Sequence, residues 1–284
     1  MTGQHSASRG KALLMIAPML VLIGCFFIIP LAWITRISFY ASEPGGVLVP
    51  DLTTASYRAL VGDPFYGEIV ARSVKVATTA TVLALILTYP IALFLHRTTT
   101  RWRSALVVLT IAPLLISTVV RTYGWMVILG DEGWLNGILK LVGLPTLRLA
   151  NDLPAVVIGL TQIMMPYMAL CLISGFGRID ATLEEAAESL GARPLRRFWR
   201  ITLPLSLPGI ALGCMLTFVI AVSAYVTPAL LGGGRVFLLA TEIYTQALET
   251  LDWPLASAMS VLLLLVFLLA LMLYSRLARR WGVA

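Results

Sequence analysis

Long apolar stretches dominate the sequence, and six of them reach the length of a membrane-spanning helix. A hydrocarbon core of about 30 Å requires about 20 mostly apolar helical residues. Stretches of that length with few charges run over 12–34, 69–95, 104–129, 153–176, 205–231 and 255–275. The first contains Pro18 and Pro30 and has no small-residue cleavage site close behind it, so we expect a retained helix. The pattern predicts an all-α, polytopic membrane protein with six transmembrane helices.

Composition and charge agree with this prediction. Hydrophobic residues make up 59% of the 284 positions and charged residues 12%, against about 45–50% and about 25% in soluble domains. The N-terminus, the second-to-third and fourth-to-fifth connections and the C-terminus hold 13 of the 21 basic residues and four acids, a net charge of +9, while the rest carries −2. Because short loops rich in Lys and Arg stay in the cytoplasm, we expect both termini there. The overall +7 therefore indicates topology, and we expect no nucleic-acid partner.

The sequence lacks the motifs of a self-sufficient enzyme or pump. Gly10-Lys11 has neither the spaced glycine nor the Ser or Thr of a P-loop. Only two histidines occur, His5 and His96, and there is no G-x-S-x-G, so histidine-based metal sites and serine-hydrolase chemistry are excluded. The three cysteines lie inside apolar stretches and form no CxxC pair. The classes of protein that remain possible are a transporter subunit, a channel and a membrane scaffold.

The connection over 177–204 is predicted to form two short helices. Thr182 and Glu185 have the S/T-x-x-E spacing of a capping box at a helix start. Gly191 suits the position just after a helix end, where a left-handed residue is favoured. Pro194 suits the first turn of a second helix, which leads into the fifth apolar stretch.

The first of these helices has a narrow apolar face of small side chains. The residues that form this face are spaced as on one side of a helix: Leu183, Ala186, Ala187 and Leu190. The basic residues of the second helix favour one interpretation, an amphipathic loop on anionic lipid. However, alanines bury little area in lipid, whereas a small-residue face suits close docking in a protein groove. We therefore favour docking against another protein.

The spacing of this loop matches a known motif. Glu185-Ala186-Ala187 is followed after three residues by Gly191, and after nine more by Ile201-x-Leu203-Pro204. This spacing is the motif E-A-A-x3-G-x9-I-x-L-P. Through it the chain resembles the permease subunits of binding-protein-dependent ABC importers. In that family the E-A-A helix is the coupling helix that docks on a separate ATPase subunit. The resemblance implies an ATPase-coupling site made of Glu184, Glu185, Ala186, Ala187, Glu188, Leu190, Gly191, Ile201, Leu203 and Pro204.

Further stretches narrow the resemblance to permeases of the spermidine/putrescine type. They are 89–92, 121–125 with 130–136, 226–233 and 252–254. The resemblance extends over nearly the whole chain. It implies import of a polyamine such as putrescine or spermidine across the bacterial inner membrane. Other amines, amino-acid-like compounds and opines are alternative cargoes.

The same resemblance implies a fold and a set of partners. We expect a type I ABC importer permease fold, with 1–11 as a cytoplasmic tail and 12–284 as one transmembrane domain. The partners are a second permease subunit, expected to be a different chain, an ATPase dimer that holds ATP and Mg, and a periplasmic solute-binding protein. The chain itself is expected to bind no cofactor and no metal and to be no enzyme. The connection over 177–204 is called the coupling loop below. Four residues are expected to let the fifth helix bend just beyond it: Pro204, Pro208, Gly209 and Gly213.

Polar and aromatic residues in or near the spans are candidates for the cargo path. Arg121 lies inside the third stretch, where hydrocarbon penalises a charge, so we expect it to face the interior and to have a partner. Three aromatic residues are candidates for cation–π contact with an amine: Tyr123, Trp125 and Tyr225. Three acidic residues are candidate counter-charges at the outer side: Asp131, Glu132 and Glu242. Tyr and Trp at the end of a span are more often anchors at the membrane interface.

Two other classes of protein compete with the importer subunit. A self-sufficient secondary transporter or channel is expected to carry internal repeats and mid-membrane carboxylates, but the acidic residues lie outside the centres of the six stretches. A membrane scaffold would use the coupling loop only as a docking site. Copurification with an ATPase subunit, together with substrate-stimulated ATP hydrolysis only when both are present, distinguishes the importer subunit from both.

Overall fold

The computed structural model describes residues 17–43, 46–177 and 179–280. The predicted tail 1–11, the start of the first predicted span and Arg178 lie outside these residues. Contacts divide the chain into two units, Met1–Asp63 with Ile243–Leu262 and Pro64–Glu242 with Leu263–Ala284. Helices make up most of both units.

The first unit contains a long apolar helix and a short hairpin. Helix α1 (Ala17–Ile37) precedes the antiparallel strands β1 (Ala41–Glu43) and β2 (Val47–Val49), and α2 (Ala55–Gly62) follows. The hydroxyls of Ser38 and Tyr57 form a hydrogen bond of 2.7 Å that connects the end of α1 to α2. The apolar side chains of α1 are exposed along its length, which leaves them free for lipid or for a partner helix.

The second unit contains most of the remaining helices. In chain order they are α3 (Pro64–Arg97), α4 (Arg103–Ile111), α5 (Thr118–Leu129), α6 (Trp134–Leu141), α7 (Leu153–Phe176), α8 (Ala181–Ser189), α9 (Pro194–Val222), α10 (Val226–Leu231) and α11 (Leu239–Tyr244). A π-helical turn at Phe198–Thr202 interrupts α9. Helix α11 has 239–242 in the second unit and 243–244 in the first, and α12 (Trp253–Arg280) has 253–262 in the first and 263–280 in the second.

Helix α7 is the central helix of the second unit. It is apolar on all sides and packs against both α3 and α9, as a helix surrounded by protein requires. Three clusters of buried side chains run along it, and Leu160, Met164 and Leu172 each lie in one of them. The core therefore follows α7 from one end to the other.

The crossing of α7 and α9 is very close because both helices place glycine there. A Cβ atom added to Gly209 would lie 2.9 Å from Cα of Gly175, and one added to Gly213 would lie 2.6 Å from Sδ of Met168. Both glycines lie inside an uninterrupted α-helical segment, Leu203–Val222. Their observed role is close packing, whereas the sequence interpretation was a bend.

Four of the six predicted spans are single long helices, and the other two differ from their predictions. The third is broken: Arg103–Leu115 and Thr118–Leu141 meet at 96°. The α-helix gives way to a 3-10 turn containing Pro113, and Ile116 is extended, so the prediction of one continuous helix over 104–129 is wrong. The fifth helix ends at Val222, and α10 follows as a separate helix where one span was predicted to reach 231.

Candidate functional site

Helix α8, which carries the E-A-A motif, starts with a carboxylate cap. Oδ1 of Asp180 accepts a hydrogen bond of 3.0 Å from the backbone N–H of Thr182. This bond lowers the pKa of Asp180, because it stabilises the charged form. The predicted capping box with Thr182 as the cap is therefore wrong: the cap is Asp180, two residues earlier, and the helix begins at Ala181.

The other end of α8 agrees with the prediction. Gly191 follows the helix with φ +78°, the left-handed conformation expected there. Its N–H donates to the carbonyl of Glu188 at 2.8 Å, and the N–H of Ala192 donates to Ala187 at 2.9 Å. These two bonds make a Schellman motif, which ends the helix sharply and turns the chain into α9.

An apolar surface on α8 and the start of α9 is exposed. We call it the coupling patch, and its members are Leu183, Ala186, Leu190, Leu195 and Trp199. Leu190 is 88% exposed. Ala187, from the same predicted face, is half-buried. An exposed apolar patch of this composition is typical of a docking surface.

Glu184 connects α8 to the ends of two spans. Its Oε1 accepts from Nη2 of Arg97 at 2.8 Å and from Oγ1 of Thr202 at 2.6 Å. Arg97 ends α3, and Thr202 is buried in the π-helical turn of α9. Burial raises the pKa of Glu184, but the hydrogen bonds from Thr202 and Arg97 outweigh it, so the pKa lies below its ordinary value of 4.5. The carboxylate is therefore charged at neutral pH.

Further contacts hold α8 and α9 at this end of the bundle. Nη1 of Arg197 donates to Oε2 of Glu188 at 2.5 Å, which joins the last turn of α8 to the first turn of α9. The ring of Tyr89 lies edge-on to Phe176 and Phe198, at 5.3 and 5.9 Å, and its hydroxyl is 3.0 Å from that of Ser206. A displacement of α8 would therefore act on α3, α7 and α9.

The motif residues divide into two sets. Glu185 and Pro204 are exposed, whereas Ile201 and Leu203 are partly buried beside Thr202. Glu184 faces the protein's own spans and not the exposed side. Sequence reasoning missed Arg97 and Thr202, because neither residue has a partner at helical spacing: Arg97 and Glu184 are 87 positions apart.

Arg121 lies near the start of α5, beyond the break in the third span. Its Nε and Nη1 atoms are buried and have no hydrogen-bond partner among the residues that the structure describes. The partner that the sequence led us to expect is therefore not found in this part of the chain.

The three aromatic candidates do not form one surface. Tyr123 and Trp125 are two positions apart on α5 and so point to nearly opposite sides of it. Tyr123 is 53% exposed, while Nε1 of Trp125 donates to Oε1 of Gln162 on α7 at 3.3 Å. Tyr225 precedes α10, which is joined to α5 by a 3.2 Å hydrogen bond between Thr122 and Thr227.

Gln162 is a mid-span polar residue that sequence reasoning missed. Its side chain accepts from Trp125, and Pro166, four residues later, has no N–H to donate to the Gln162 carbonyl. Both the side chain and the backbone of Gln162 therefore offer acceptors within α7. The signal in the sequence was a glutamine followed four residues later by proline in an apolar run.

A polar cavity of about 790 Å³ lies at the end of the second unit that contains the connection 130–152. Its charged lining is mixed: Asp131, Glu132 and Asp152, with Lys140, Arg148 and Arg235. Buried Asn136 shapes it, because its Nδ2 donates to the carbonyls of Gly130 and Leu147 at 3.1 and 3.0 Å. Glu242 does not line this cavity; it is buried on α11, 6% exposed. Within the described ranges, no three His, Cys, Asp or Glu side chains are placed to hold a metal ion.

The chain is similar to known transport proteins over most of its length. The family described as the binding-protein-dependent transport system inner membrane component matches residues 12–283. The spermidine/putrescine transport system permease protein PotB of Escherichia coli strain K12 is 34% identical over 256 residues, covering 89% of this chain and 93% of that protein. PotB of Haemophilus influenzae is 33% identical over 253 residues, covering 88% of each.

A solved structure supports the fold. In the crystal structure of a bacterial alginate ABC transporter in complex with alginate pentasaccharide-bound periplasmic protein, one chain superposes with a TM-score of 0.76. The match covers 99% of this chain and 98% of that one at 16% identity. With the helical bundle, the capped E-A-A helix and the family match over 12–283, the conclusion is that this chain belongs to the binding-protein-dependent transport system inner membrane components, the permease subunits of ABC importers.

Proposed function

We propose that this permease imports a polyamine such as putrescine or spermidine into the cytoplasm, driven by ATP hydrolysis on a separate subunit. The observation that carries the cargo is similarity over most of the chain to two permeases whose names specify spermidine and putrescine. Other amines, amino-acid-like compounds and opines are the competing cargoes.

The coupling patch is the proposed docking surface for the ATPase. Its exposed leucines supply apolar area, at about 25 cal/mol per Å² buried, and Ala186 allows the close approach of a groove wall. The short helix is fixed by its two caps and by Glu184, so docking requires little ordering of the loop. ATP and Mg belong to the ATPase subunit in this proposal.

The proposed orientation puts α8 and both termini in the cytoplasm. The concentration of Lys and Arg in these segments supports it. The 790 Å³ cavity then opens to the periplasm, where a solute-binding protein would deliver cargo. A second permease subunit, expected to be a different chain, would complete the path, because one such subunit is half of a transporter.

Copurification tests the docking surface. Leu190→Glu puts a charge on the coupling patch, and Leu141→Glu is a matched control because both leucines are 88% exposed and Leu141 lies on α6. We expect the Leu190 variant to retain at least tenfold less ATPase subunit and the Leu141 variant to retain the wild-type amount. Equal retention by both variants would contradict docking at this patch.

The ligand of the partner binding protein tests the cargo. Calorimetry with putrescine and spermidine is expected to give tight binding. A binding protein that ignores both and binds an opine or an amino acid would overturn the polyamine assignment and leave the permease family intact.

A further inference from the structure

Arg121 holds a positive charge inside a membrane span with no counter-charge in the described chain. It lies eight residues before the end of α5 at Leu129, about 12 Å along the helix axis. Its buried Nε and Nη1 atoms lack acceptors, and the ion pairs found in the described part of the chain are Arg97–Glu184 and Arg197–Glu188. An unpaired guanidinium in a low-dielectric interior is costly. An anionic partner from outside the described chain would offset this cost.

The surroundings of Arg121 increase this cost. Helix α5 begins at the 96° break inside the third apolar stretch, and no side chain caps its first N–H groups at Ser117. A long side chain on a helix points back toward the N-terminus, so the guanidinium lies on the side of the positive end of the helix dipole.

The polar side chains on the same helix supply no negative charge. Oγ1 of Thr122 donates to the carbonyl of Thr118 at 2.8 Å and pairs with Thr227, and Trp125 donates to Gln162. These groups are neutral. They satisfy one another and do not compensate Arg121.

We propose that Arg121 binds a carboxylate that comes from outside this chain. The unsatisfied N–H groups of a guanidinium form strong, charge-assisted hydrogen bonds with a carboxylate. The source is either an acidic side chain of the second permease subunit or a carboxylate on the cargo. This inference rests on the proposed function: putrescine and spermidine have no carboxylate, so with a polyamine as cargo the acid belongs to the second permease.

Charge-removing and charge-keeping variants of the complete transporter test this site. Arg121→Gln removes the charge, Arg121→Lys keeps it, and Arg72→Gln is the control, since Arg72 lies in the first turns of α3 beside an open groove. The amount of second permease retained and the uptake of putrescine and of ornithine, which is putrescine with a carboxylate, are measured for each variant.

If the acid belongs to the second permease, the Gln variant retains at least tenfold less of that subunit, and the Lys variant retains an intermediate amount. If the acid belongs to the cargo, the complex stays intact, and the Gln variant loses ornithine uptake at least tenfold while the Lys variant keeps part of it. A Gln variant with wild-type assembly and uptake would overturn the inference.

If the Gln variant is not produced, the Lys variant decides: wild-type or partial assembly supports a charge requirement, and loss of both variants indicates a packing role and overturns the proposal. A wild-type complex that imports neither solute is a failure of the proposed function and not of the Arg121 site. The two failures are therefore distinguishable.

Discussion

Arg97 is the residue on which the contact between α8 and the spans depends most directly. It donates to both Glu184 and Thr202, so it joins α3, α8 and α9. A hydrogen bond to a charged group contributes about 1.5–3 kcal/mol, and less here because the Arg97 side chain is 46% exposed. Loss of Arg97 therefore loosens the loop without unfolding the bundle.

We expect Arg97→Gln to lower uptake several-fold more than it lowers ATP hydrolysis by the reconstituted complex. The reason is that a loosened α8 follows the ATPase without moving the spans. Arg101→Gln is the control, because Arg101 lies near the Trp102 ring and has no ion pair to α8. A ratio of uptake to hydrolysis equal to that of the control would contradict this role.

Asp131 and Glu132 on the polar cavity allow an electrostatic test of the cargo. Replacing both with Asn and Gln removes two negative charges from a lining that also holds three basic residues. We expect the KM for putrescine uptake to rise several-fold and the KM for a neutral solute to stay constant, because cations are attracted by the lost charges. Equal changes for both solutes would remove the electrostatic part of the proposal.

Sequence reasoning identified the types of residue at the site better than their partners. Gly191 could be predicted, because the requirement for a left-handed residue after a helix is local. Two contacts could not be predicted, because each joins residues that are far apart in the chain: Arg97 with Glu184, and Trp125 with Gln162. The separation of Tyr123 from Trp125 followed from helical geometry and could have been predicted.

At the scale of elements, the crossing of α7 and α9 decides what Gly209 does. A methyl group there meets backbone atoms of Gly175, whereas at Gly213 it meets Met168, a flexible side chain. We expect Gly209→Ala to lower the Tm of the purified permease by several degrees more than Gly213→Ala does, because overpacking costs about 1–3 kcal/mol where the neighbours cannot move.

A hinge at these glycines predicts a different result. It would leave the Tm of both variants near the wild-type value and lower only the ratio of uptake to ATP hydrolysis. Thermal unfolding in detergent, followed by the same transport assay, separates packing from bending.

Apolar stretches predicted where helices lie, but not their direction. Hydropathy over 104–129 is continuous, so the 96° break could be anticipated only from Pro113 in its interior. The break puts the start of α5, with Arg121 three residues beyond it, inside the third apolar stretch.

At the scale of the whole molecule, the two ends of the second unit have different chemistry. One end carries the coupling patch and the Glu184 contacts, and the other carries the mixed-charge cavity. This polarity suits a subunit that receives force at one end and cargo at the other. Sequence alone predicted the E-A-A end from its spacing, and Asp131 and Glu132 as outer counter-charges, but not the cavity that these two residues line.

The measurement that tests this account most directly is transport by the reconstituted complex in proteoliposomes. We predict that putrescine uptake requires this permease, its second permease, the ATPase with ATP, and the loaded binding protein, and that omitting any one abolishes uptake. Uptake by this chain alone, without an ATPase, would contradict the account and identify a self-sufficient transporter or channel.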